Sequence, residues 1–340
     1  MLTIDGSRGE GGGQIFRSAL ALSLVSGTPV RIERIRAGRA KPGLMRQHLT
    51  ALQAAAAIGG GEPTGAAIGA GEVEFRPGRV RAGAYRFAVG TAGSTGLVLQ
   101  TILLPLLMAA GPSSITLEGG THNPQAPPFD FVARAFLPLL RRMGAVVEAR
   151  LERAGFYPAG GGKLTVELDG GRPLNPLALP ARGATLTRRA RALVSRLARQ
   201  IGDRELAVVR SRLGWAPEEL ETVSLDEDMA GPGNVLLLEI ESEHVTEVFT
   251  GFGAVGIRAE AVAEKAVDEA RRYVASGVPV GPYLADQLLL PLALARGGEF
   301  RTMPLSRHST TNVEVIRQFL GTSFNITGAT DMAVDVAVLG

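Results

Sequence analysis

The chain has 340 residues, of which 45% are hydrophobic and 20% charged, and a formal net charge of +3. That is enough apolar chain for one large domain or two, and too little net charge for indiscriminate nucleic-acid binding, so any phosphate recognition must come from local clusters. There are no cysteines, which excludes disulfides, thiolate metal sites and cysteine nucleophiles, and only three of the 36 basic residues are lysines.

Asp5, Arg8 and Glu10 interrupt any signal-peptide core at the start, and the longest apolar run, 97–110, contains Gln100, Thr101 and Pro105 and is too short to span a bilayer. The expectation is a globular, cytoplasmic protein with no membrane partner.

Residues 2–6 read as a strand running into Gly9-Glu10-Gly11-Gly12-Gly13-Gln14, and the pattern predicts an apolar helix over 15–25 that ends at Gly27. A strand over 30–35 leads into Arg36-Ala37-Gly38-Arg39-Ala40-Lys41-Pro42-Gly43. A helix over 44–58 follows, stopped by Gly59-Gly60-Gly61, and then a strand over 72–76. The same order returns as strand 85–89, the turn Gly90-Thr91-Ala92-Gly93-Ser94-Thr95-Gly96, helix 97–109, strand 115–118, helix 129–143 and strand 146–151. Gly155-Phe156-Tyr157-Pro158-Ala159-Gly160-Gly161-Gly162 precedes a strand over 165–168. The pattern then changes over 183–277, with a strand over 186–194, a helix over 196–213, strands over 234–241 and 247–252, and a charged helix over 258–274. Last come a helix beginning near Asp286, a Gly297-Gly298 stop and a strand over 300–303. The polar loop Arg307-His308-Ser309-Thr310-Thr311-Asn312 and a helix over 313–320 complete the reading.

The stretch from Gln100 to Leu106 resembles that from Gln287 to Leu292, and aligning Pro105 with Pro291 also places His122 on His308. Three strand-helix-strand-helix units imply an α/β (α+β) protein whose large domain, 1–182 and 278–340, packs three sheets around helices in a pseudo-threefold arrangement. Residues 183–277 read as a small α/β domain inserted at an exposed loop.

Several polar groups stand out against this apolar background. The turn from Gly9 to Gln14 offers backbone N–H groups at a helix start, where anions bind, although a plain tight turn has the same composition. Glu10 within it is either an ordinary acid favoured by the helix dipole or, among phosphate-binding amides, a ligand for a divalent metal. Arg36, Arg39, Lys41 and Arg46, with His48, form a basic stretch suited to a triphosphate, an RNA phosphate or solvent. Asp286 is either an N-cap or, with Tyr283 and Gln287 beside it, part of a purine nucleotide pocket, and Gln100 occupies the equivalent helix of the second unit. Arg188-Arg189-Ala190-Arg191 suits RNA or solvent equally. His308, flanked by Arg307 and three hydroxyl residues, is a nucleophile toward phosphate when unprotonated, and the alternative is a solvated loop. No Lys-x-Asp-Gly sequence, P-loop or zinc spacing is present, so if ATP is activated covalently, histidine is the available nucleophile.

The turn Gly9 to Gln14, the loop Arg36 to Gly43, the segment Gly155 to Gly162, Tyr283-Leu284-Ala285-Asp286-Gln287, and Arg307-His308 through Thr311-Asn312 together resemble the RNA 3′-terminal phosphate cyclase family, over essentially the whole chain. The resemblance implies three similar units in a large domain plus a small inserted domain of thioredoxin-like topology. It implies ATP-dependent conversion of an RNA 3′-terminal phosphate into a 2′,3′-cyclic phosphate through a histidine-AMP intermediate and an RNA-adenylate anhydride, releasing AMP and diphosphate. ATP, a divalent metal (Mg or Mn) and an RNA with a 3′-phosphate end are the implied cofactors and partner. The family's adenylylated histidine falls on His308, its adenosine-binding residues on Gln100, Tyr283, Leu284, Ala285, Asp286 and Gln287, and its metal-binding glutamate on Glu10. Arg17, Arg36, Arg39 and Arg46 are expected to clamp the RNA phosphates. Non-catalytic relatives that serve ribosome assembly lack the nucleophilic histidine, which this chain has. Two rival readings are an RNA-binding assembly factor on the same scaffold and an enolpyruvyl-type transferase with a similar pseudo-threefold body. A homo-oligomer is compatible with the sequence.

Overall fold

A computed structural model describes residues 1–225, 230–328, 330 and 332–339, and its mixed α/β architecture pairs short strands into four sheets among those residues. In the first, β1 (Leu2–Asp5) runs parallel to β2 (Val30–Glu33), and β3 (Val73–Phe75) lies antiparallel to β2. A parallel pair needs a crossover, which α1 (Gly13–Ser26) supplies, while α2 (Arg46–Gly59) leads from β2 toward β3. The second sheet has the order β4-β5-β7-β6, from β4 (Ala84–Ala88), β5 (Gly111–Gly119), β6 (Val146–Arg153) and β7 (Gly162–Gly170). α3 (Thr95–Met108) crosses from β4 to β5. A helical body of α4 (Phe129–Phe131), a π-helical stretch (Val132–Phe136) and α5 (Leu137–Arg142) precedes β6.

β8 (Leu177–Leu179) leads into a sheet of β9 (Thr185–Ser195), β10 (Leu220–Leu225), β11 (Gly233–Ser242) and β12 (Thr246–Phe252), ordered β10-β9-β11-β12. It carries α6 (Gln200–Leu213) and α7 (Ala259–Ser276). Leu236, Leu238 and Ile240 of β11 join Trp215, Ala266 and Tyr273 in one apolar cluster, whereas Val235 and Leu237 belong to the main core. Burial on both faces explains why β11 reads as a continuous apolar run rather than an alternating one.

The chain then adds α8 (Pro282–Ala295), β13 (Gly298–Thr302), α9 (Arg307–Leu320), β14 (Ser323–Thr327) and β15 (Val334–Leu339). The sheet β14-β15-β13-β8, read from β8, has the same sequence of pairings as the second sheet: parallel, antiparallel, antiparallel. α1 packs on α2, α3 and α9, and α8 on α9, so these helices share one apolar core. No helix among the described residues is long and apolar enough to cross a membrane.

Among the boundaries that differ from the sequence expectation, two move expected site residues onto helix. α8 starts at Pro282 behind the cap Gly281, so Asp286 lies one turn inside it and is no N-cap. α9 starts at Arg307, because the Ser306 hydroxyl accepts the Ser309 N–H at 3.1 Å, so His308 through Asn312 are helical rather than loop. β8, β10, β14 and β15 are strands for which the sequence reading gave no expectation.

Candidate active site

α1 begins at Gly13 behind an extended Gly12 that supplies no side-chain cap, so its first N–H groups have no such partner at that end. The approach to it is crowded. Gly9 has φ +56°, and a Cβ there would overlap the Thr311 hydroxyl of α9; a Cβ on Gly13 would overlap the His48 ring of α2. Glycine at these two positions lets the turn sit directly between the two helices.

Gln14, in the first turn of α1, reaches across to α8. Its Nε2 donates to both carboxylate oxygens of Asp286, at 2.6 and 2.7 Å, and its Oε1 lies 2.7 Å from Nδ1 of His308 on α9. A carboxylate only accepts hydrogen bonds, so the amide NH2 must face Asp286 and the amide oxygen must face the imidazole. Nδ1 of His308 therefore carries the hydrogen, and Nε2 keeps its lone pair. Nε2 stands 3.9 Å from Glu10 Oε1, beyond hydrogen-bonding distance, and 54% of the side chain is exposed. Burial lowers the His308 pKa below its ordinary value, Arg17 and Arg39 push the same way, and Asp286 opposes them. The arrangement is a neutral imidazole with one fixed tautomer and one free nitrogen.

The surroundings hold Asp286 in place. Asn312 Nδ2 donates to its main-chain oxygen at 3.2 Å, and Ser18 Oγ donates to Asn312 Oδ1 at 2.9 Å. Gln287 Nε2 donates to Asp286 Oδ2 at 3.2 Å, and Gln100 Nε2 of α3 donates to Gln287 Oε1 at 2.5 Å. Burial raises the Asp286 pKa, opposed by the Gln14 bond, His308, Arg17 and Asn312. Arg17 is pulled down to about 10 by burial, with Asp286 opposing, and its Nε has no hydrogen-bond partner. Gln14, Arg17, Gln100, Asp286, Gln287 and Asn312 line a cleft together with Leu103, Leu104 and Phe136. Polar groups converging beside leucine and phenylalanine side chains are the kind of lining that suits an aromatic base and its sugar.

Glu10 lies at the rim. Its N–H donates to Thr311 Oγ1 at 3.0 Å, Arg39 pairs with Oε1, and Oε2 is buried without a hydrogen-bond partner. Among the described residues there is no cluster of three or more His, Asp or Glu side chains able to cage a metal. A divalent ion would thus rest on this one carboxylate and on phosphate and water oxygens, the usual arrangement for Mg at a nucleotide.

The other expected site residues are less uniformly placed. Tyr283 is exposed at the start of α8, its hydroxyl 3.5 Å from Glu269 of α7, while the side chains of Leu284 and Ala285 are buried in the core. Arg36 donates to the main-chain oxygens of Lys41 and Gly43, at 2.6 and 2.9 Å, and so holds its own loop closed. Arg46 is exposed at the first position of α2. His48 is buried, its Nδ1 accepts the Met45 N–H at 3.1 Å, and burial with Arg17 and Arg36 holds its pKa down at about 3. His122 is buried with Nε2 2.9 Å from Asp130. The Arg188–Arg191 run is already paired: Arg188 with Glu219, Arg189 with Glu221 and Arg191 with Asp130. Sequence reading assigned no role to Gln14, Ser18 or Asn312. Gln14 stands at the head of an apolar helix, the one signal available for it, while Asn312 ends a run of polar residues that hides it.

Comparison with known proteins identifies the family. The family model for RNA 3′-terminal phosphate cyclase matches residues 8–326. The protein of that name from Koribacter versatilis is 52% identical over 326 residues, covering 96% of this chain and 92% of the relative. Those from Ectopseudomonas mendocina and Salmonella paratyphi C are 50% and 47% identical, each over 98% of this chain and over 97% and 96% of their own lengths. The chain belongs to the RNA 3′-terminal phosphate cyclase family.

Proposed function

We propose that this protein uses ATP to convert an RNA 3′-terminal phosphate into a 2′,3′-cyclic phosphate, with His308 as the residue that carries AMP. The observation that supports this most strongly is the Gln14 bridge, which leaves Nε2 of His308 unprotonated, unbonded and exposed beside a cleft that Gln14, Asp286 and Asn312 help to line. Residues 183–277 are read as an inserted domain, with 1–182 and 278–340 forming the catalytic body.

The need for ATP follows from the chemistry of the RNA end. A terminal phosphate monoester is a poor electrophile, since its leaving group would be oxide or water. In the first step the Nε2 lone pair of His308 attacks the α-phosphorus of ATP, the bond from that phosphorus to the bridging oxygen breaks, and diphosphate leaves. The proton on Nδ1 stays against the Gln14 oxygen, and Asp286, bonded to the far side of that amide, offsets the positive charge that develops on the ring. A ring protonated at Nδ1 is also the better leaving group for the second step. There an oxygen of the RNA 3′-phosphate attacks the AMP phosphorus and neutral imidazole departs, leaving a mixed anhydride. Finally the 2′-hydroxyl attacks the RNA phosphorus, closes the five-membered ring and expels AMP, an intramolecular step for which positioning supplies much of the rate.

Gln100, Asp286 and Gln287 supply polar groups for the nucleoside, with the exposed Tyr283 ring ahead of the latter two on α8. Arg17 and Arg39, with Arg46, supply charge for the phosphates of ATP and RNA. Arg36 contributes by holding the loop that carries Arg39. The partnerless Oε2 of Glu10 fits a divalent ion, which would neutralise the diphosphate as it leaves. Glu10→Gln is expected to raise the metal concentration needed for half-maximal labelling at least ~10-fold, by analogy with the loss of one metal-site carboxylate partner. An unchanged metal titration would remove Glu10 from that role.

The pH dependence has a definite sign. A lowered His308 pKa keeps the ring neutral to a lower pH than a free histidine, so labelling with α-labelled ATP should change by less than about twofold between about pH 8 and about pH 7 and fall at a more acid pH than a free imidazole would. A tenfold fall between pH 8 and 7 would contradict it. The activity itself is tested with a short RNA bearing a 3′-phosphate: one cyclic end and one AMP should appear per end converted. A 3′-phosphate that persists while ATP is hydrolysed would refute the reading.

A further inference from the structure

The nucleotide-facing residues of α8 sit one turn behind its N-terminus, and the unit formed by β9–β12, α6 and α7 grips that terminus. Glu247 of β12, 2% exposed, accepts the N–H of the cap residue Gly281 at 2.6 Å on its Oε1. Pro282 at the first helical position has no N–H, so the bond to Glu247 satisfies one of the few donors this helix end presents. Tyr273 of α7 donates its hydroxyl to the Pro279 main-chain oxygen at 3.0 Å, just ahead of the cap, and Glu269 of the same helix faces the Tyr283 hydroxyl. Arg182 lies 5.2 Å over the Tyr273 ring.

For folding alone, the choice of an acid at 247 is a poor one. Burial pushes its pKa up to about 8, against the lowering effect of the Gly281 bond, and an apolar side chain of the same size would avoid that desolvation. A buried acid kept at a cost to stability, aimed at the first turn of a helix that carries site residues, is a reason to look for a functional role.

We propose that Glu247 is a positioning residue of the nucleotide site, fastening the first turn of α8 to the inserted unit so that Tyr283, Asp286 and Gln287 meet the nucleotide at fixed distances. The unit thereby has a part in ATP recognition without lining the cleft. This rests on the function proposed above.

Glu247→Met and Glu247→Gln separate that role from a merely structural one. Both retain the length of the side chain and remove the buried ionisable group, but only Gln keeps an oxygen to accept the Gly281 N–H. In the full-length protein, with α-labelled ATP as probe, E247M should raise the ATP concentration for half-maximal His308 labelling by about five- to twentyfold, the value of a lost hydrogen bond that orders a binding element. Its saturated labelling rate should stay within about twofold, and E247Q should match the wild type on both counts. Tyr273→Phe loses only a hydroxyl, carries little folding risk, and should move ATP dependence the same way by about two- to threefold. The proposal is overturned if E247M and Y273F keep wild-type ATP dependence, if their effect is confined to melting temperature, or if E247Q loses as much as E247M. A wild-type protein that takes up no label would instead remove the functional reading on which this one stands.

Discussion

Alanine at position 308 is expected to abolish covalent capture of AMP, lowering incorporation of label from α-labelled ATP by at least ~10³-fold, the scale on which loss of a nucleophile acts. The protein has four histidines. His48 is buried with Nδ1 accepting a main-chain N–H, and His122 is buried with both ring nitrogens engaged, by Thr121 and Asp130. His244 is exposed on the turn between β11 and β12 and takes no part in the cleft. Only His308 combines an exposed ring, a fixed tautomer and a free nitrogen beside the cleft. The retained label should be stable to alkali and lost in acid, as a phosphoramidate is. His122→Ala should leave labelling intact, and if it alone abolished the label, the nucleophile would have been assigned to the wrong unit.

The second large effect is expected at Gln14. Gln14→Leu keeps approximate volume and helix propensity while removing both halves of the bridge. Asp286 loses its amide donor and His308 loses the acceptor that fixes its proton on Nδ1. Loss of the orienting partner of a catalytic imidazole costs orders of magnitude even where geometry survives, so labelling should slow by ~10² to 10³-fold with the ATP dependence changed far less. A variant with normal labelling rate would show that the bridge has no part in the first step.

Much of the fold is legible because glycine and apolar periodicity punctuate it. Gly27, Gly60, Gly277 and Gly321 each end a helix with φ between 62° and 69°, a conformation glycine adopts without strain, and each stop is visible in the sequence. The elements that escaped are those that lack that punctuation. β8 is three residues between Pro176 and Pro180, and β10 mixes charged and apolar residues on an edge strand next to β9. At 307–312 the run of Ser, Thr and Asn favours turns when read locally, yet the Ser306 cap and packing against α1 and α8 make it helix.

The site was legible in parts for a related reason. Gln100, Asp286 and Gln287 are conspicuous as polar residues in helices otherwise rich in leucine, and Glu10 and His308 as charged or titratable groups among glycines and hydroxyls. What the sequence withholds is pairing across distance: Gln14 meets Asp286 and His308, and Ser18 meets Asn312, across most of the chain's length. The Arg188–Arg191 run shows the converse. Its charges look available in one dimension, and Glu219, Glu221 and Asp130 consume them in three.

The most direct test of the account is the protonation pattern of one ring, before and after ATP. In protein carrying ¹⁵N-labelled histidine, the spectrum of His308 near neutral pH should show a proton on Nδ1 and none on Nε2, and after reaction phosphorus should be coupled to Nε2. A proton on Nε2 in the free protein, or phosphorus on Nδ1 in the adenylylated one, would contradict the bridge from Asp286 through Gln14.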